Sequence, residues 1–337
     1  MKIVVLAGGL SPERAVSLVS GRMIAEALRG RGHRVLLLDL YEGMEKLPSD
    51  PNSLFDVEFC VTNEDVLKIS DAPPLKTEGK RSWIGPHVLK LCGLADKVFL
   101  ALHGSVGENG WLQATLDLHG IPYTGSDAVG SMLAMDKDLC KRLLRNAGLP
   151  TPDWMLLDPE HASPAAPGVR IGFPCVIKPV SCGSSVGISM VEEEREMPNA
   201  LRAASGWGCP IMAEKKIVGR ELTLGILDGK TLPVVEICTK EGFYDYQNKY
   251  NGSTEEICPA ELSDVIKARI EAFSLRAFQA LRLRGYARFD FILDHTEGLW
   301  CLEANTLPGM TPTSLFPRAA AAAGISYGEL CERIVRL

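Results

Sequence analysis

The sequence predicts a chain of mixed class, an N-terminal α/β unit with a parallel sheet followed by α+β units built on antiparallel strands. Three observations carry this. Strand-like runs alternate with helix-like runs from the first residue; a Gly/Ser loop at 180–187 sits between two short strand runs; and near the C-terminus two further strand runs flank a turn signal at 294–298. At 337 residues the chain exceeds one comfortable core, so division into two or three units with a sizeable cleft is expected.

Residues 2–6 form a continuous apolar strand that Gly8-Gly9 breaks, with Ser11 placed to N-cap the next helix and Pro12 suited to its first position. Val16, Val19, Met23, Ile24, Ala27 and Leu28 follow helical spacing until Gly30 or Gly32 ends the run, and residues 34–40 are a second strand. Residues 42–95 have weak periodicity and read as an elaborated connection. A buried strand at 98–102 delivers the loop 103–110 at its carboxyl end, where ligand sites of open α/β sheets form. Tyr123 to Ser126 marks a unit boundary, a helix follows from Asp136 to about Ala147, and residues 164–167 read as a surface loop. Residues 174–179 and 188–191 are strands of a small antiparallel element, and an alanine-rich helical stretch at 319–335 ends the chain.

A net charge of −6 gives no basic footprint for nucleic acid or an anionic membrane surface, so a small-molecule substrate is expected. The ten cysteines include no CxxC pair and read as reduced, mostly buried thiols. The opening apolar run is too short for a signal peptide and no segment reaches membrane-spanning length, which favours the cytoplasm.

Chemistry concentrates in four places. The loop 180–187 follows Lys178 closely; glycine and serine let successive backbone N–H groups turn toward an anion, although a flexible hairpin loop would look the same. It is not a Walker A loop, and no GxGxxG follows the first strand. If 294–298 is a hairpin turn, Asp290 falls opposite Glu303, with Asn305 on the same face. Facing carboxylates repel unless a cation neutralises them, and oxygen ligands favour magnesium; a solvated edge pair is the alternative. Arg288, two residues from Asp290, suits stabilisation of a charged intermediate or a plain ion pair. Glu214, Lys215 and Glu221 would suit nucleoside recognition or be surface charges, and the aromatic, polar run 243–250 would suit a lid or an ordinary surface loop.

Taken together, LAGGLSPER at 6–14, ALHGSVGENG at 101–110, VIKPVSCGSSVG at 176–187 and LEANTLPGMTPTSL at 302–315 resemble the D-alanine:D-alanine ligases of the ATP-grasp superfamily, over nearly the whole chain. The resemblance implies an N-terminal parallel α/β (pre-ATP-grasp) domain at 1–125, a central ATP-grasp subdomain with the phosphate loop at 126–213, and a C-terminal subdomain with lid and metal site at 214–337. It implies ligation of two D-alanines through an acyl phosphate, for peptidoglycan precursor synthesis, with ATP, two Mg2+ ions replaceable by Mn2+, and a homodimer.

Residue by residue, the resemblance makes Lys137, Lys178 and Lys249 phosphate contacts, and Glu214, Lys215, Ile217 and Glu221 nucleoside contacts. Asp290, Glu303 and Asn305 become metal ligands. Glu13 is expected to hold the first D-alanine's ammonium, in a chain through Ser184 to Tyr250, with His103 nearby; Arg288 and the Gly309 N–H form an oxyanion hole, and Ser314 and Leu315 meet the second D-alanine. Ala15 and the run Val180-Ser181-Cys182 depart from the family pattern. The rival readings are a D-serine or D-lactate ligase, a silent nucleotide-binding module, and a glutathione-synthetase-like ligase.

Overall fold

The computed structural model describes residues 1–56, 82–158, 166–183, 187–239 and 254–337. The N-terminal unit contains β1 (Lys2–Ala7), α1 (Arg14–Gly30), β2 (Arg34–Asp39), α2 (Val88–Cys92), β3 (Lys97–Leu100), α3 (Ser105–Glu108) and α4 (Trp111–Leu118). Its strands pair in parallel in the order β2-β1-β3. Every residue from Ile3 to Ala7 is fully buried, as a strand covered on both faces requires.

The turn after β1 differs from the capping expectation. Helix α1 begins at Arg14, and the Ser11 hydroxyl accepts the Glu13 N–H at 3.2 Å within a turn that precedes it. Gly8 is held at φ +74°, and a Cβ there would lie 2.0 Å from an Asp39 oxygen, so only glycine lets the β1 exit pass this buried carboxylate. Asp39 in turn accepts Arg14 at 2.7 Å and the N–H groups of Tyr41 and Glu42, so one carboxylate fixes both loops at this end of the sheet.

The connection read over 42–95 contains a 3-10 turn at Pro51–Phe55 and the short helix α2; residues 57–81 lie outside the described residues. Helices α5 (Ala128–Met135) and α6 (Lys137–Asn146) follow, each N-capped by an aspartate, Asp127 and Asp136. The middle sheet is larger than the pair of strands expected. It comprises β4 (Trp154–Leu157), β5 (Cys175–Pro179), β6 (Ser189–Val191) and β7 (Ile211–Lys215) in the antiparallel order β4-β7-β5-β6, with α7 (Ala166–Arg170) and α8 (Met197–Ser205) beside it. Pro167 lies inside α7 rather than in a loop.

The third sheet is built from β8 (Gly219–Leu227), β9 (Lys230–Thr231), β10 (Val235–Thr239), β11 (Thr254–Ile257), β12 (Tyr286–Asp294) and β13 (Leu299–Asn305), backed by α9 (Asp264–Ala280). Strand β7 runs through Lys215 and pairs in the middle sheet, and β8 opens the third sheet at Gly219. The alanine-rich end is two helices, α10 (Leu315–Ala322) and α11 (Tyr327–Arg336): Gly324 adopts φ +79° and Ser326 caps the second.

Helix α1 packs so closely on the parallel sheet that a Cβ on Gly21 would lie 2.6 Å from the Ala7 Cβ. Gly21→Val is therefore expected to cost about 1–3 kcal/mol through overpacking, read as a lower urea midpoint at unchanged slope.

Candidate active site

The site lies where the three sheets meet. Strand β5 ends in Lys178, β7 carries Glu214, and α6 presents Lys137 and Lys141. Glu214 is buried and uses both oxygens: one meets Lys178 Nζ at 2.7 Å and the other Lys141 Nζ at 2.5 Å. Burial works against the Glu214 charge, but the two ammonium groups outweigh it and hold the carboxyl below its ordinary range. Lys141 also donates to Thr151 Oγ1 and the Pro152 carbonyl, at 2.5 and 3.1 Å. Lys137 donates to the Cys182 carbonyl at 2.6 Å and stands 3.4 Å from Glu303.

These groups line a cleft of about 440 Å3, a volume suited to a nucleotide-sized ligand. Its polar floor holds Lys137, Lys178, Asp290 and Glu303, and its opposite wall is the connection 215–219 between the sheets, with Ile217 and Val218 supplying apolar surface. Lys215 and Glu221 line it as well.

On the third sheet Asp290 does stand opposite Glu303, by a route the turn alone would not give. Leu293 pairs with Leu299, a register that continued unchanged would set Asp290 against Leu302; a β-bulge after Asp290 inserts one residue and restores the carboxylate pair. Arg288 grips Asp290 with two bonds, at 2.9 and 2.8 Å, while Thr223 Oγ1 and Asn305 Nδ2 donate to the same carboxylate at 2.6 and 3.0 Å. Asp290, Glu303 and Asn305 thus gather oxygen-bearing side chains at one place on the sheet, with Arg288 paired to Asp290 and Lys137 close to Glu303.

A second cavity of about 130 Å3 brings together Glu13, His103, Arg288, Gly309, Ser314 and Leu315, six positions scattered over the sequence. A neck of about 20 Å3 lined by Lys137, Cys182, Gly183 and Glu303 lies between it and the larger cleft. Burial lowers the His103 pKa below its ordinary value. Nδ1 donates to the Leu307 carbonyl at 3.2 Å, and Nε2 lies 3.4 Å from the Ser20 hydroxyl.

This geometry, one cation-floored nucleotide-sized cleft joined through Lys137 and Glu303 to a small polar pocket, agrees with what two family models detect: D-ala D-ala ligase N-terminus over residues 2–126 and D-ala D-ala ligase C-terminus over residues 143–336. The chain belongs to the D-alanine–D-alanine ligase family. Among curated relatives, the D-alanine--D-alanine ligase of Pediococcus pentosaceus is 41% identical over 99% of this chain and 97% of its own length, and that of a Synechococcus strain is 42% identical over 100% and 92%. The crystal structure of the D-alanine--D-alanine ligase from Bacillus anthracis complexed with ATP superposes with a TM-score of 0.77 at 31% identity, covering 100% of this chain and 96% of that one.

Within this ligase-family site, three expected residues, Ser184, Lys249 and Tyr250, lie outside the described residues. Other participants carried no signal in the sequence. Glu108 sits in the 103–110 loop but was not singled out; it is buried, accepts the Gly104 N–H at 2.6 Å and the Leu307 N–H at 3.2 Å, and burial with Glu13 nearby pushes its carboxyl up to about 7. It holds the 103–110 loop against the 302–315 segment. Lys141 looks like one more helical lysine, and only tertiary burial reveals its role. Its place one helical turn after Lys137 was the available clue.

Glu214→Gln removes the counter-charge of two buried ammonium groups and is expected to cost about 3–5 kcal/mol in unfolding free energy. Urea titration reads this directly; a loss under about 1 kcal/mol would put the pair in the class of surface ion pairs.

Proposed function

We propose that the chain joins two D-alanine molecules into D-alanyl-D-alanine, activating the first carboxylate as an acyl phosphate with ATP, for peptidoglycan precursor synthesis. The observation that carries this reading is that Glu303 lines both cavities and, with Lys137, the small cavity between them, which sets a phosphate-binding floor beside a pocket with one anionic and one cationic wall. In that pocket Glu13 takes the ammonium of the first D-alanine, Arg288 and the Gly309 N–H take the oxygen on which charge builds, and Ser314 and Leu315 meet the second substrate. His103, hydrogen-bonded to the Leu307 carbonyl and close to the Ser20 hydroxyl, fixes the pocket wall.

On the nucleotide side, Lys178 and Lys137 supply positive charge to phosphate oxygens, and Glu214 aims Lys178 while Lys215, Ile217 and Glu221 contact the nucleoside. Lys249 adds a further phosphate contact in this reading, and Ser184 and Tyr250 complete the chain from Glu13. Asp290, Glu303 and Asn305 fit two Mg2+ ions, or Mn2+ with the same donors, whose chemistry when bound is to neutralise charge on the transferring phosphoryl group. The narrow neck between the cavities limits access of water to the acyl phosphate. The same reading takes the protein to act in the cytoplasm, where ATP is, and as a homodimer, as family membership suggests. Among the described residues no helix is long and apolar enough to cross a membrane.

Incubation with ATP, magnesium and D-alanine is expected to yield D-alanyl-D-alanine by mass, with one phosphate and one ADP per bond. Pyrophosphate with AMP would replace this route by adenylation. Adding D-lactate beside D-alanine at neutral pH is expected to give dipeptide in large excess over depsipeptide, and equal rates would remove Tyr250 from acceptor selection. Arg288→Ala is expected to lower kcat roughly 10²-fold, the scale of one oxyanion-hole donor, and a change under about threefold would exclude Arg288 from the chemical step.

A further inference from the structure

The smaller cavity carries more negative charge than one substrate accounts for. Among the described residues four glutamates line it, Glu13, Glu108, Glu256 and Glu303, against a single arginine, Arg288. Two of the four have work elsewhere: Glu108 accepts the N–H groups of Gly104 and Leu307, and Glu303 stands 3.4 Å from Lys137. Under the ligase reading proposed for the chain, on which this inference rests, Glu13 takes the ammonium of the first D-alanine. The second D-alanine brings an ammonium as well, and its counter-charge has to lie on the side of Ser314 and Leu315.

Glu256 is on that side. It belongs to β11, the end strand of the third sheet among the described residues, where it pairs with Ile237 of β10. Arg318 lies in α10 one helical turn after Ser314, whose carbonyl accepts the Arg318 N–H at 3.0 Å. The Arg318 guanidinium brackets Glu256: Nε lies 3.1 Å from Oε2, and Nη1 donates to the Glu256 carbonyl at 3.2 Å. Backbone and carboxylate of Glu256 are thus both fixed to the helix that begins at the acceptor end of the cavity. The Ser314 hydroxyl, held by Thr311 Oγ1 at 2.7 Å, lines the same cavity. The Glu256 side chain is only 14% exposed, so water screens its charge weakly.

We propose that Glu256 selects the acceptor by binding the ammonium of the second D-alanine, with Arg318 as the residue that positions it. An amino acid enters as a zwitterion and forms an ion pair with this carboxylate. A hydroxy acid arrives neutral at the same position and forms none, so the contact favours an amine acceptor over a hydroxyl acceptor. Because the contact is made when the acceptor binds, its loss falls on KM more than on kcat.

The test incubates the full-length protein with ATP, magnesium, D-alanine and an excess of D-lactate, reads dipeptide and depsipeptide by mass, and follows ATP binding by calorimetry. Glu256→Gln is expected to lower the ratio of dipeptide to depsipeptide about tenfold or more, the scale of one hydrogen bond to a charged group. The same variant is expected to raise the KM for the second D-alanine more than it lowers kcat, with ATP affinity changed by less than about threefold. Glu256→Asp, which keeps the charge, is expected to recover part of the ratio, and Arg318→Met to lower it. Both products come from the same active molecules, so the ratio stays readable even where a variant folds poorly. A ratio changed under about threefold in Glu256→Gln, with both products lost equally, would make the Glu256–Arg318 pair a brace between β11 and α10 and overturn the proposal. No recovery in Glu256→Asp would place the effect in shape rather than charge and overturn it too. If the wild type forms no dipeptide from ATP and D-alanine, the ligase reading itself falls and takes this inference with it; if it forms dipeptide and Glu256→Gln keeps the ratio, only this inference falls.

Discussion

The interaction on which the rest of the site depends is the buried contact of one carboxylate with two ammonium groups, Lys141–Glu214–Lys178. Three charges out of water are tolerable only because each is paired, and Lys141 is further hydrogen-bonded to Thr151 and Pro152. Their partners lie on different elements: β5, β7 and α6 are pinned together, and Lys141 also rests over the Trp154 ring at 5.1 Å, a cation–π contact on β4. Thr151, which accepts from Lys141, donates to the Cys301 carbonyl at 2.8 Å on β13. One charged knot thus sets the middle sheet against the third sheet and aims Lys178 into the cleft between them.

A second constraint acts across that cleft. Asp290 and Glu303 are like charges at paired positions, an arrangement that opposes folding unless it is compensated. Arg288 and Lys137 supply compensation from two directions, one on the same strand and one from α6. The repulsion between the two carboxylates is thereby offset by residues that line the two cavities, Arg288 the smaller and Lys137 the larger. Glu108 plays the corresponding part on the other side, joining the N-terminal loop to the backbone of Leu307 so that the pocket has walls from two units.

Part of the cleft lining was legible because its residue types are improbable where they stand: two acids and an asparagine on adjacent strands, and a lysine at a strand end before glycines and serines, whereas Glu13 was named only through the family resemblance. Residue types without such contrast were not legible. Lys141 becomes distinctive only through burial, and Thr223 reveals itself only by donating to Asp290 from the adjoining strand. The helix start at Arg14, the break at Gly324 and the membership of β7 in the middle sheet were also displaced from expectation, because caps and strand partners are settled by tertiary contacts when local signals compete.

By itself the sequence determined the class of fold and where its charged and glycine-rich segments lie, since apolar periodicity, turn residues and clustered charges act locally and survive in one dimension; the chemistry of the ligand came from the resemblance of four motifs to the ligase family. The tertiary structure alone decided how these parts meet. The bulge that turns Asp290 toward Glu303 is a one-residue change of register, invisible to a period-two pattern that reads the same on either side of it. The placing of Glu13 and Arg288 on one pocket and the pairing of Lys141 with Glu214 join segments far apart in the chain, and only packing fixes which distant charges come together.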